Sequence, residues 1–231
     1  SLAQEIIEQS YYGMAWSYLK QGKAPQAIQT FQTIMEHTLS PVVKASALTQ
    51  IGDAYQDIKQ FSQALMAYDR VLKEFSDGPY ADYAQFQQGI TLLKMGNEES
   101  ATFSFQSLKK NFPNSTYLHE SDYYLGFASF QNQEWPQVIR YISSFLESPG
   151  ASSSFLVQAK YILALAYFYQ RDFTKAFDLF QDIVAQVADQ PSVKQTAEVH
   201  IGKCLYHLNR PAEAVRYFQQ ICQNYPLSDA H

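Results

Sequence analysis

The sequence predicts an all-α fold, an array of about six helical hairpins running over residues 1–231, and three observations carry that prediction. A small residue recurs at Ala15, Gly52, Gly89, Gly126, Ala164 and Gly202, at intervals of 37, 37, 37, 38 and 38 residues. The residue twelve positions on is Ala27, Ala64, Ala101, Val138, Ala176 or Ala214, and four further on stands Phe31, Tyr68, Phe105, Ile142, Phe180 or Phe218. Columns that hold register through six units mark a repeat architecture. Between the columns, apolar residues recur at helical spacing, and turn residues interrupt them at a fixed place in each unit.

The first unit, near 2–40, sets Tyr11, Met14, Ala15 and Tyr18 on one helical face, breaks at Gln21-Gly22-Lys23 and resumes with Ala27, Phe31 and Ile34. The second, near 41–77, places Gly52 in its first helix and Ala64 and Tyr68 in its second. The third, near 78–114, turns at Lys94-Met95-Gly96-Asn97. The fourth, near 115–151, departs most, with Val138 and Ile142 where the others carry Ala and an aromatic ring. The fifth, near 152–190, turns at Gln170-Arg171-Asp172, and the sixth, near 191–226, at Asn209-Arg210-Pro211. Residues 227–231 follow Tyr225-Pro226 and read as the start of a further, truncated helix. Small residues in the first two columns let paired helices close up where they cross, and the third column caps that contact.

These residues resemble the tetratricopeptide repeat family. Its pattern is a small residue in helix A, Ala in helix B, then an aromatic and a closing Pro. Gly52…Ala64…Tyr68, Gly89…Ala101…Phe105…Pro113 and Gly202…Ala214…Phe218…Pro226 meet it, while Ala15 and Ala164 replace Gly. The resemblance covers nearly the whole chain and implies a single right-handed superhelical solenoid that binds other proteins. The period exceeds the family's usual length of about 34. The extra residues fall between helix B and the next small residue, as in Phe112-Pro113-Asn114-Ser115-Thr116-Tyr117-Leu118, where Ser115 is expected to N-cap a helix A lengthened by about one turn. This longer style is similar to bacterial cell-envelope tetratricopeptide proteins, such as the Tol–Pal cell-division coordinator and the outer-membrane-assembly lipoproteins. It implies a periplasmic or envelope location, with the cytoplasm as the alternative. No stretch reads as a polar capping helix, so a longer natural protein is expected.

Composition narrows the function. The chain carries a net charge of −5, which argues against a nucleic-acid backbone binder, since that needs a basic stripe. Its longest apolar runs fall short of the 18 or so residues that would span a bilayer, so no direct membrane insertion is expected. The opening Ser1-Leu2-Ala3-Gln4-Glu5 carries no signal-peptide pattern.

Motifs for catalysis or cofactors are sparse, so the chain is read as a non-enzyme with no cofactor. There is no phosphate-binding glycine loop, no Cys-x-x-Cys pair and no HExxH. His200, Cys204 and His207 share one helical face and have metal-ligand chemistry, but Cys204 falls at a packing position and a fourth ligand could come only from Cys222 or His231. Packing is the better account. Asp53 and Asp57 pair at i, i+4 and invite an acid/base reading, yet Lys20 and Lys94 occupy the place of Asp57 in the flanking units, so a Lys20–Asp57–Lys94 charge ladder is expected instead. In an antiparallel hairpin Cys222 lies on the order of 15 Å along the axis from the residues facing Cys204, too far for a disulfide, so two free thiols are expected.

By the resemblance, helix A lines the concave face, and its inward positions are the third before and the first and fourth after the small residue. Units one and two put Tyr12, Trp16, Leu19, then Thr49, Asp53, Gln56 there. Units three to five carry Phe86, Ile90, Leu93, then Tyr123, Phe127, Phe130, then Tyr161, Leu165, Phe168, and unit six carries Val199, Lys203 and Tyr206. A solvated groove would be polar; this one is aromatic, and such residues dominate binding hot spots. The expected partner-binding set is Tyr12, Trp16, Tyr83, Phe86, Ile90, Tyr123, Phe127, Phe130, Tyr161, Leu165, Phe168 and Tyr206, acting on a protein or peptide segment. The cationic clamp with which related domains grip acidic C-termini is missing, because its positions hold Tyr12, Trp16, Gln50, Tyr83 and Gln87. The alternative is self-association, or a structural arm of a larger protein in which the aromatic face is packed internally.

Overall fold

A computed structural model describes residues 2–148, 153–187 and 190–224. The described residues form twelve α-helices and no strand: α1 (Leu2–Lys20), α2 (Ala24–His37), α3 (Pro41–Asp57), α4 (Phe61–Glu74), α5 (Ala81–Lys94), α6 (Glu98–Asn111), α7 (Leu118–Gln131), α8 (Trp135–Glu147), α9 (Ser153–Tyr169), α10 (Phe173–Gln186), α11 (Pro191–His207) and α12 (Pro211–Asn224). Odd-numbered helices are the A helices of the hairpins, even-numbered the B helices. The chain divides into two compact units, 1–118 and 119–231, each holding three hairpins. The closing segment 225–231, with the expected further helix and His231, lies outside the described residues.

The three columns meet as the sequence predicts. A Cβ on Gly52 would lie 2.5 Å from the Tyr68 ring, one on Gly89 2.6 Å from Phe105, and one on Gly202 2.5 Å from Phe218. In the fourth hairpin Ile142 takes the ring's place, 2.4 Å from the Cβ that Gly126 lacks. Ala15, Ala27, Ala64, Ala101, Ala164 and Ala176 are wholly inaccessible to solvent, as are Phe31, Tyr68, Phe105 and Phe180. The hairpins with Gly52, Gly89 and Gly202 thus close around a ring that lies directly on the backbone of helix A, and the fourth closes around Ile142, where close packing yields dense apolar contact.

All six turns between A and B helices share one backbone design. The residue seven after the small column is left-handed in every hairpin: Gly22, Lys59, Gly96, Gln133, Arg171 and Asn209, with φ from 58° to 72°. The next residue's N–H reaches five residues back, as in Gln60 N to Tyr55 O at 2.8 Å and Asp172 N to Tyr167 O at 2.9 Å. The left-handed residue itself bonds three back, as in Arg171 N to Phe168 O at 3.0 Å. This is the Schellman closure, which satisfies the last carbonyls of helix A. It has been kept at four positions without glycine.

The long period is filled in two ways, which corrects the expectation at Ser115. Helix α3 has 17 residues and follows a short link in which Ser40 Oγ accepts the Val43 N–H, with Pro41 at the first helical position. Helices α5 and α7 have 14 residues each, and the difference is taken up by the longer links 75–80 and 112–117. Ser115 does not cap α7: its hydroxyl donates to Asp82 Oδ2 at 2.8 Å and accepts from Tyr117 N at 3.2 Å, holding the link down on α5.

Candidate functional site

The side chains expected at the inward positions of the A helices differ in exposure within each unit. In unit 1 Trp16 is 47% exposed and lies edge-on to Phe31, while Tyr12 and Tyr83 are half-buried. In unit 2 Phe127, Phe130, Tyr161, Leu165 and Phe168 are half-buried and Tyr206 is 65% exposed. Phe86, Ile90 and Tyr123 are interior residues. The cause lies in the links and the following helices. Tyr117 stacks on Phe86 at 5.1 Å and 19°, and Phe155 stacks on Tyr123 at 4.6 Å and 29°.

The half-buried rings of unit 2 are continuous with rings that the inward-position rule missed. Phe130 meets Trp135 edge-on at 5.7 Å, and Trp135 stacks on Tyr169 at 4.7 Å. Tyr169 meets Phe168 at 5.8 Å, Phe168 meets His207 at 5.7 Å, and His207 meets Tyr206 at 5.3 Å. Trp135 and Tyr169 belong to the first residue of a B helix and the last of an A helix, beside the Schellman turns. The signal was available: the ninth position after the small residue holds Trp135 and Phe173 in successive units. Tyr161 also borders a cavity of about 640 Å³ between α9 and α11, shared with Val157, Val193 and Thr196.

The face carrying His200, Cys204 and His207 is spent on this same aromatic packing. His200 stacks on Phe180 at 4.9 Å and donates through Nδ1–H to Thr196 O, and His207 stacks on Phe173 at 4.4 Å. Burial depresses the His200 pKa below the usual imidazole value, with Lys203 adding to the effect against the Thr196 contact. Cys204 is inaccessible, and burial pushes its thiol up to about 12. Among the described residues no group of three His, Cys, Asp or Glu side chains is placed to hold a metal. Cys204 and Cys222 are free thiols, the first buried and the second exposed.

Unit 1 differs by carrying a polar network where unit 2 carries rings. Asp53 accepts the Tyr68 hydroxyl at 2.7 Å, and the Tyr83 hydroxyl reaches both its oxygens at 3.1 and 3.2 Å. Gln87 Nε2 donates to that Tyr83 oxygen at 2.8 Å, and Gln56 Nε2 links Gln87 to Thr91. Burial pushes the Asp53 carboxyl up to about 6, against the pull of the two tyrosine hydroxyls, with Asp57 adding to the rise. Burial and the adjacent carboxylate hold both tyrosines well above their ordinary range. The expected Lys20–Asp57–Lys94 ladder does not form. Lys94 Nζ donates to Gln56 Oε1 instead, and Asp57 is exposed and makes no ion pair among the described residues.

Among the described residues no helix is long and apolar enough to cross a membrane. Comparison with known proteins agrees with the repeat. Residues 9–37 and 46–78 match the tetratricopeptide repeat, and residues 85–230 match YfiO, described as an outer membrane lipoprotein. The outer membrane protein assembly factor BamD of Pasteurella multocida is 22% identical over 132 residues, which make up 49% of this chain and 51% of that protein. The chain therefore spans about half the length of the curated relative it matches. Among solved structures, the C-terminal part of a TPR repeat-containing protein of Cytophaga hutchinsonii superposes with a TM-score of 0.70 at 13% identity, covering 92% of this chain and 78% of that one. PilF of Pseudomonas aeruginosa superposes at 0.68 with 17% identity, covering 98% of this chain and 95% of that one. At such identities these likenesses speak for the fold alone.

Proposed function

This chain belongs to the YfiO family of outer membrane lipoproteins, and from that premise we propose that it is a non-enzymatic scaffold of the bacterial envelope that holds a segment of a partner protein on the inward side chains of its A helices. The observation that carries this reading is the run of ring contacts in unit 2 from Phe130 through Trp135, Tyr169, Phe168 and His207 to Tyr206, whose members stay open to solvent at Tyr169 and Tyr206. Rings held rigid by one another offer large contact area at small entropic cost, as hot-spot residues do. Trp16 and Tyr12 offer the same chemistry in unit 1.

The test is affinity isolation of the full-length protein from its native cells, comparing the wild type with Trp16→Ala and Tyr206→Ala. Both side chains are exposed, so melting temperature should be unchanged. The reading expects a specific partner to be lost from the variants. Retention of every partner, or a loss that tracks a lowered melting temperature, would refute it.

A second reading, self-association, rests on α1, where Ile6, Ile7 and Met14 are 55%, 50% and 41% exposed. Light scattering decides between them: a monomer mass independent of concentration removes the second reading, and a stable oligomer lost on Ile7→Lys supports it.

A further inference from the structure

We propose that a cavity of unit 1, bounded by α3, α5 and the links 75–80 and 112–117, receives an arginine or lysine side chain of the bound partner segment. This inference rests on the reading that the A helices hold a polypeptide, and it names one contact in that recognition. The cavity has a volume of about 360 Å³, and Thr49, Gln50, Tyr80, Asp82, Tyr83 and Tyr117 line it. That volume lies at the lower end of small-ligand pockets and suits a single long side chain.

Its walls are aromatic. Tyr83 and Tyr117 pack at 5.5 Å between ring centroids, and Tyr80 completes the lining from the link before α5. Rings of this kind attract a cation through their quadrupole and cover the hydrocarbon stem that carries it.

The charge is of one sign. Asp82 is the charged side chain lining the cavity. Asp53 stands directly behind Tyr83, bonded to its hydroxyl, one helical turn from Thr49. Among the described residues neither carboxylate has an ion-pair partner, and the amine of Lys94 is engaged with Gln56. Burial without a countercharge is what raises the Asp53 carboxyl, and a cation on the far side of Tyr83 supplies that countercharge.

The arrangement suits a basic side chain better than a metal ion. Asp82 already accepts from Ser115 Oγ and from the Tyr83 N–H, and Asp53 accepts from two phenols. Among the described residues no group of three His, Cys, Asp or Glu side chains is placed to hold a metal there. A guanidinium or ammonium needs only a negative, ring-lined recess. The Gln87 and Gln56 amides hold Tyr83 in place from behind, so the recess is formed before anything enters it.

The probe is Nα-acetyl-argininamide, with Nα-acetyl-citrullinamide as its neutral isostere, titrated into the full chain at pH 7.5 and followed by amide chemical shifts. The arginine compound should shift the amides around Tyr80, Asp82 and Tyr83 saturably, with the citrulline compound at least ten-fold weaker. Asp82→Asn and Asp53→Asn should each weaken arginine binding at least three-fold; Asp82, half-buried at the helix start, carries the test if the Asp53 variant loses its fold. Equal binding of the two compounds, or arginine binding unchanged in Asp82→Asn, would overturn the assignment. Partner capture that depends on Trp16 and Tyr206 without arginine discrimination would sink this pocket alone; arginine discrimination with no partner captured would sink the scaffold reading instead.

Discussion

Tyr68 plays two parts in one hairpin: its ring lies on the backbone of Gly52, and its hydroxyl donates to the carboxylate of the next residue, Asp53, at 2.7 Å. The residue that closes the helical crossing therefore also supports a buried carboxylate on the inner face. Among the rings of its column, Tyr68 alone carries a hydroxyl; the others are Phe31, Phe105, Phe180 and Phe218.

The burial of Asp53 has a pH signature, which the Tyr68 hydroxyl offsets only in part. The Asp53 carboxyl titrates near 6 in the folded chain, above its unfolded value of 3.8, so the folded state holds the proton more tightly. The stability this group contributes is present when it is protonated and is lost as pH rises from about 4 to about 6. The loss is at most about 3 kcal/mol, from a shift of roughly two units at 1.36 kcal/mol each. Urea denaturation of wild type and Asp53→Asn at pH 4.5 and 7.5 reads it as a difference of differences. The variant should gain on the wild type as pH rises; a gap that stays constant would contradict the account.

The turn column supplies a stability test. Lys59, Gln133 and Arg171 hold a left-handed backbone that costs a side-chain-bearing residue roughly 1–2 kcal/mol. Replacing each by Gly should stabilise by about 0.5–1 kcal/mol after the extra entropy of glycine is counted. Asn209 should gain least, because asparagine visits this region with little strain. Gly22→Ala and Gly96→Ala should destabilise by about 1 kcal/mol, although no atom lies within 4 Å of a Cβ at either site. Thermal unfolding of the six variants checks the sign at each position.

The glycine column should respond to its surroundings. A Cβ at Gly89 would stand 2.6 Å from Phe105, whose ring is wholly buried and has nowhere to swing. Gly89→Ala should cost about 2 kcal/mol by overpacking. Gly202→Ala meets Phe218 at 2.5 Å, but that ring is only half-buried, so the cost should be smaller. Equal losses in urea denaturation would mean that freedom of the ring does not set the price.

The hairpins were readable because their packing columns need residue types that few other positions require. Small residues meet bulky ones wherever helices cross, and six repeats of the pattern leave little room for coincidence. The turn column was hidden because glycine fills only Gly22 and Gly96; Lys59, Gln133 and Arg171 carry no local mark of a left-handed backbone. Helix length was misjudged at α7 because an identical period can be filled by a longer helix, as in α3, or by a link such as 112–117.

The candidate surface was readable by type more than by exposure. Phe86 and Tyr161 occupy the same repeat position, yet Tyr117 covers the first and leaves it 6% exposed, while the second stays half-buried. Which rings a link will cover depends on how the link folds back, and repeat position does not encode that. The polar network around Asp53 escaped notice for a similar reason. Tyr68 read as a packing ring, and its hydroxyl found a carboxylate fifteen residues away.

The central claim is that the open rings of the A helices receive a partner, and site-specific photo-crosslinking from Tyr206 tests it most directly. A photoreactive phenylalanine at Tyr206, 65% exposed on α11, is compared in native cells with one at Val215, 55% exposed on α12. The account predicts a discrete foreign protein captured from Tyr206, absent from Val215, and lost when Trp135→Ala breaks the run of rings. Crosslinks from Tyr206 only to its own chain, or the same adducts from both positions, would contradict it.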